Sequence, residues 1–268
     1  MNKLTTVLLI ISVFCTTLIG CKDDTPPIKE KKILLSTLSN GVGNKFRFEY
    51  NRDGKITRFY NEINPAVEFV FKYLSDGRVD SIKSKVGEKF LVPIYDTYKI
   101  NWLNKNQAEM VIEEQSYLKN KWRVQINFDD NGRPTFQKKI DRGASMFTEQ
   151  YTYLYNTEGN FYQIDTERDE ITKSKLVQFT DFDKNINPFV KNFTELTILN
   201  YTNGVSLKAM DYLPISSKNN FMFFNTGENK FKYEYKYNAN NLPTEIAIYY
   251  RRNSPTFSPF AVYTLEYT

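Results

Sequence analysis

Histidine is absent from all 268 residues, and cysteine occurs only twice, as Cys15 and Cys21. Without an imidazole there is no Ser-His-Asp triad, no Cys-His dyad, no histidine metal centre and no histidine general base. Both cysteines fall in or at the end of the N-terminal apolar stretch. The rest of the chain therefore holds neither a disulfide framework nor a thiolate zinc site. An excess of one charge is lacking too. The 36 Lys+Arg face 31 Asp+Glu, a net charge of +5, and no basic block exceeds Lys29-Glu30-Lys31-Lys32 or Arg251-Arg252. Such a distribution is not a nucleic-acid footprint. Tryptophan is scarce, but Phe and Tyr are plentiful, at 21 and 19.

Long apolar runs are missing except at the start. Lys3 precedes an apolar run over residues 4–14, and Lys22-Asp23-Asp24-Thr25-Pro26-Pro27 comes soon after. The run is shorter than the roughly 20 residues of a membrane-spanning helix. This is the layout of a secretory signal over residues 1–20. Its last four residues, Leu18-Ile19-Gly20-Cys21, resemble the lipobox of bacterial lipoproteins. That resemblance implies a diacylglycerol on the Cys21 thiol, cleavage just before it and acylation of the new amino end. Acyl chains contribute about 0.8 kcal/mol per buried methylene, so several of them anchor a protein durably. Cys21-Lys22-Asp23-Asp24 also resembles the surface-export signal of Bacteroidota lipoproteins, which implies an outer-membrane protein exposed at the cell surface. Residues 21–32, with two adjacent prolines, read as a flexible tether, and residues 33–268 as one β-rich repeat domain.

Period two dominates that domain. Lys45-Phe46-Arg47-Phe48-Glu49-Tyr50 and Lys230-Phe231-Lys232-Tyr233-Glu234-Tyr235-Lys236-Tyr237 alternate charge with aromatic ring. Successive strand residues face opposite sides, so the rings share one face and the charges the other. A turn recurs after such strands. It is Asn51-Arg52-Asp53-Gly54, then Leu74-Ser75-Asp76-Gly77, Asp129-Asp130-Asn131-Gly132 and Asn156-Thr157-Glu158-Gly159, and finally Asn238-Ala239-Asn240-Asn241. Glycine supplies the positive φ of a tight hairpin, and Asn is the best substitute. Further turns are expected at 104–106, 119–120, 141–143 and 226–229. The fold class is all-β: an antiparallel meander of short-stranded hairpins forming a strongly curved sheet or partly closed barrel. One or two short helices are expected, the first capped by Asn187 with Pro188 at its first position, the second near 208–213.

The Tyr-x-Tyr-Asn/Asp-x-x-Gly-x-Ile unit resembles, loosely, the YD repeat of Rhs-type proteins. More fully, residues 45–268 resemble a Bacteroidota lipoprotein family of unknown function with a porin-like β fold. The likeness rests on the lipobox, the aromatic hairpins, Asp181-x-Asp183-x-x-x-Asn187-Pro188-Phe189, and Lys218-Asn219-Asn220 followed by Tyr235–Pro243. It implies an antiparallel β architecture, with no assigned activity and no catalytic residue. Tyr and Phe run along the middles of the strands rather than at the rims of an aliphatic band, which argues for a water-borne barrel with its rings turned inward.

Candidate sites are few. Asp181, Asp183 and Asn185 open like a Ca²⁺ loop, but Ile186 stands where that loop needs glycine and Asn192 where it needs glutamate. An Asx-turn reading competes. Trp102 and Trp122 are the first candidates for a ligand surface, against plain core packing. Glu113-Glu114 and Asp129-Asp130 are carboxylate pairs, but neighbours on a strand point apart. Asp80-Ser81-Ile82 resembles a bacterial O-glycosylation acceptor. Three functions fit these features: a surface-tethered binding or accessory module for a glycan or protein partner, a structural envelope lipoprotein without a ligand, and a histidine-free hydrolase using carboxylates.

Overall fold

In the computed structural model, described over residues 33–41, 43–64, 67–89, 92–113, 121–139, 149–168, 172–189 and 217–268, the period-two segments are strands. In order they are β1 (Leu35–Ser39), β2 (Lys45–Tyr50), β3 (Ile56–Asn61), β4 (Glu68–Tyr73), β5 (Val79–Lys89), β6 (Val92–Asn104), β7 (Gln107–Glu113) and β8 (Lys121–Phe128). The second half comprises β9 (Pro134–Lys139), β10 (Glu149–Tyr155), β11 (Phe161–Arg168), β12 (Thr172–Ile186), β13 (Asn219–Thr226), β14 (Asn229–Tyr237), β15 (Pro243–Arg252) and β16 (Ser258–Tyr267). Each pairs antiparallel with its sequence neighbours, and β1 pairs with β16, closing the meander into a barrel. Residues 33–268 make up one compact unit.

The two faces differ as the alternation requires. On β2, Phe46 and Phe48 are buried while Glu49 is exposed. Phe46, Phe59 and Phe69 stack across β2, β3 and β4, with ring centroids 5.1 and 5.9 Å apart. The same core takes in Met110 and Ile126 of the middle strands and Phe221, Tyr233, Ile246 and Leu265 of the last four. Phe59, Phe69, Ile82, Met110, Tyr233 and Ile246 have no exposed surface at all. A round sixteen-stranded barrel encloses an aqueous channel, in which inward side chains stay wet. Among the described residues these core side chains do not, so here the barrel packs its interior with its own side chains. Polar residues also lie in the interior: Ser84 stands opposite Asp96 on β5 and β6 and is buried like it, and the Tyr153 hydroxyl donates to Gln137 Oε1 at 3.0 Å.

The outward face carries a lattice of ion pairs. Arg58 reaches Glu49 and Glu68 on the flanking strands, at 3.3 and 2.7 Å. Glu62 takes both Lys45 and Arg47, whose hydrogen bonds, Lys45 first, hold its carboxyl below the usual range. Lys236 pairs with Glu245 at 2.7 Å.

Two expectations change. The strands are not uniformly short: β5, β6 and β12 run 11, 13 and 15 residues. The register shifts by one extra residue between Lys85 and Gly87 and between Trp102 and Asn104, and by two between Phe182 and Ile186, so a continuous strand reads as two broken patterns. No helix occurs among the described residues. Asn187 Oδ1 accepts the Phe189 N–H at 2.9 Å in an Asx-type turn, and residues 190–216, where the rest of the first helix and the segment at 208–213 are expected, lie outside the described residues.

Candidate functional site

The recurring turns build one end of the barrel. In each, the first residue's N–H donates to the carbonyl four positions on, and the fourth residue's N–H returns to the first residue's carbonyl: Asn51, Leu74, Asp129, Asn156 and Asn238 all do this, at 2.8–3.0 Å. Where the first residue is Asn or Asp, its side-chain oxygen also accepts two backbone N–H groups, as Asn51 does from Asp53 and Lys55 at 3.0 Å. Gly54, Gly77, Gly132 and Gly159 hold φ between 75° and 87°, and Asn241 replaces them at 58°.

Two further contacts repeat that no local sequence pattern announces. First, the aromatic residue at or near a strand end donates to a carbonyl at the start of the preceding strand. Tyr50 bonds Leu35, Tyr73 bonds Ile56, Trp102 bonds Val79, Tyr155 bonds Pro134 and Tyr267 bonds Pro243, at 2.6–3.0 Å. Second, the basic residue after the turn glycine reaches the next hairpin. Lys55 donates to the Gly77 carbonyl and lies over Tyr73; Arg78 donates to the Asn104 carbonyl and lies over Trp102; Arg133 donates to the Gly159 carbonyl and lies over Tyr155. These three hairpins each clasp the next by a hydrogen bond and a cation–π contact.

Trp102 is part of this clasp. Its indole N–H is bonded to Val79 at 2.8 Å and its ring packs against Phe128, 5.2 Å between centroids. Trp122 lies on β8, and its side chain is outside the described residues. Asp129 holds Arg133 at 2.6 Å and Asp130 holds Lys105 at 2.7 Å, so this carboxylate pair braces two turns. Ser81 is buried and bonds Asp80 at 3.2 Å. Cys21 and Glu114 lie outside the described residues.

The Asp-x-Asp-x-x-x-Asn-Pro-Phe and Lys-Asn-Asn segments do converge. Asp183 accepts from the Asn185 N–H at 2.9 Å, the Asn220 N–H at 3.3 Å, Asn220 Nδ2 at 3.2 Å and the Tyr237 hydroxyl. Asn187 bonds Ser217 and Lys218, while Asn160 Oδ1 accepts from Asn219 N at 2.8 Å and Ser217 Oγ at 3.3 Å. Asn160, Asn187 and Asn220 are completely buried. Burial, and then the bond to Asp183, push the Tyr237 phenol well above its ordinary range. Of the calcium candidates, Asp181 is exposed at φ 55° just before the bulge, Asp183 is filled with N–H and O–H donors, and Asn185 gives its backbone N–H to Asp183 and its carbonyl to Asn219. Among the described residues no group of three His, Cys, Asp or Glu is placed to hold a metal. What this cluster does chemically is lock β12, β13 and β14 together.

No family model matches the chain, and no curated protein does. Two solved structures are similar to it: a porin-like protein from Bacteroides uniformis ATCC 8492, 15% identical over 88% of this chain and 95% of that one with a TM-score of 0.41, and a porin-like protein from Bacteroides vulgatus ATCC 8482, 13% identical over 88% and 99% with a TM-score of 0.48.

Proposed function

We propose that the chain is a lipid-anchored envelope protein, held to the outer membrane through Cys21 and exposed at the cell surface. Its barrel stands in water and serves as a binding or accessory module for a glycan or protein partner. The observation that carries this reading is the polarity of the wall: rings fill the inside, and ion pairs such as Arg58 with Glu49 and Glu68 cover the outside. A barrel embedded in lipid needs the reverse, since a Lys or Arg on the lipid face costs about 2–4 kcal/mol at the bilayer midplane. With the described core packed by its own rings, recognition falls to the outer wall and the barrel ends. An envelope scaffold without a ligand is the second reading, favoured by the hairpin clasps, which give Trp102, Tyr73 and Tyr155 structural work.

Cys21→Ser is expected to move the protein from the membrane to the aqueous fraction and abolish acyl labelling. Retention in the membrane after this change refutes the anchor. Protease treatment of intact cells is expected to degrade the protein; full protection means an inward-facing one.

A further inference from the structure

We propose that the outer face of β13–β16 binds an anionic polysaccharide, an extended chain of uronic-acid sugars lying across the strands. The proposal rests on the binding-module reading and assigns it a ligand class.

The strand register sets the geometry. Phe223 pairs with Lys232, Lys232 with Tyr249 and Tyr249 with Pro259, so these four residues form one row across β13, β14, β15 and β16. Lys232 lies on the same face as Lys230, Glu234 and Lys236, opposite the buried Phe231 and Tyr233, which places the row outside. Neighbouring strands lie about 4.8 Å apart, so Phe223 and Tyr249, two strands apart, are separated by roughly 10 Å. An extended sugar chain crossing the strands meets about one pyranose per strand and a ring at every second sugar. Phe257 extends the apolar surface beside Phe223, 6.5 Å between centroids. Glu234, held by Lys232 at 2.6 Å and bonded to Tyr249, is a fixed acceptor for sugar hydroxyls beside the rings.

Charge selects an acidic chain. In the adjacent row Asn225 pairs with Lys230, and Lys230 stands directly opposite Arg251. Like charges facing across a sheet destabilise it. Elsewhere on the wall basic residues such as Arg58, Lys99 and Lys236 meet carboxylates. Lys230 and Arg251 have no carboxylate partner among the described residues; Arg251 lies over the Phe257 ring, 4.4 Å from its centroid, and donates to the Pro255 carbonyl at 3.2 Å. A carboxylate on every sugar relieves this repulsion, while the ring row favours a sugar over an acidic peptide.

The test is calorimetric titration of the full chain with oligomannuronate, a β-linked uronate, beside a cello-oligosaccharide as neutral chain and polyglutamate as acidic polymer without sugars. Oligomannuronate is expected to bind, the other two far more weakly. Tyr249→Ala and Lys230→Glu are each expected to weaken binding about tenfold, and Tyr249→Phe to preserve it, the Tyr249 variants with unchanged thermal midpoints and Lys230→Glu with a midpoint raised by its pairing with Arg251. Equal binding of polyglutamate, no binding of oligomannuronate by the folded chain, or indifference to both variants overturns the proposal. A glycan array run on the same preparation separates the two levels: capture of another glycan that Tyr249→Ala leaves unaltered ends this assignment and keeps the module, whereas an array with no capture counts against both.

Discussion

Tyr73 works in two places at once: its ring packs against the core and its hydroxyl ties the end of β4 to the Ile56 carbonyl at 2.6 Å. Tyr73→Phe keeps the ring and leaves that carbonyl without this donor. The expected loss is about 1 kcal/mol, read as a fall of roughly 2–4 °C in thermal midpoint. Gly77 carries a double constraint as well. Its φ of 84° is strained for any side chain, and a Cβ there meets the Lys55 ammonium that donates to the Gly77 carbonyl. Gly77→Ala is therefore expected to destabilise by more than about 1 kcal/mol, and Lys55→Ala to relieve only the steric part. A double-mutant cycle by urea denaturation measures the difference. The left-handed turn positions were readable because turn chemistry is local: Asp/Asn-x-x-Gly announces Gly54, Gly132 and Gly159, Asp76-Gly77 announces the turn that begins with Leu74, and Asn241 at 58° obeys the same rule without glycine. The tyrosine ties were not, because the partner carbonyls lie 15 to 24 positions back and a carbonyl has no sequence signature.

Three hairpins are coupled to the next through the basic residue after the turn glycine, Lys55, Arg78 or Arg133. Arg133 lies 4.5 Å over the Tyr155 ring and donates to the Gly159 carbonyl at 3.2 Å, joining the β8–β9 and β10–β11 turns. Arg133→Ala is expected to speed hydrogen exchange at Gly159 and Asn160 in the neighbouring turn, and to cost about 1 kcal/mol. An effect confined to residues 129–133 refutes the coupling. The β12–β14 lock has a signature in pH. Burial comes first in raising Tyr235 and Tyr237 of β14, and Tyr267 of β16, above their usual values. Below about pH 10, the unfolded value, all three are neutral in both states and their contribution is complete. As pH rises toward the folded values, the unfolded chain loses protons first and stability falls. Tyr237→Phe is expected to flatten that alkaline decline, measured as the urea midpoint against pH with tyrosinate absorbance followed in parallel. An unchanged slope means Tyr237 is not part of it. The segments that form this lock stood out in the sequence, yet their purpose did not. Asp183 finds Asn220 and Tyr237 at separations of 37 and 54 residues, and only those partners turn a calcium-like run into a filled hydrogen-bond centre.

Closure belongs to the whole molecule. Leu35 pairs with Tyr267, and Leu34 and Thr268 exchange backbone hydrogen bonds at 3.2 and 2.9 Å, joining the two ends of the domain. No local pattern announces such a pairing, which is why alternation alone left a curved sheet and a barrel both open. Closure removes the two free edges that invite aggregation, but it does not say which face meets which solvent. Two substitutions on adjoining strands decide that. Phe59 of β3 is wholly buried between Phe46 and Phe69, whereas Val70 of β4 faces outward, paired with Arg58 and Lys83. In a lipid-embedded, water-filled barrel a charge is tolerated inside and costly outside. Here the order inverts. Phe59→Asp removes a ring and buries a carboxylate, and is expected to cost at least about 4 kcal/mol or prevent folding. Val70→Glu sets a carboxylate between two cations in water and is expected to change stability by less than about 1 kcal/mol in either direction. Denaturant midpoints of the two variants in plain buffer give the answer, because a wall built for lipid ranks them the other way.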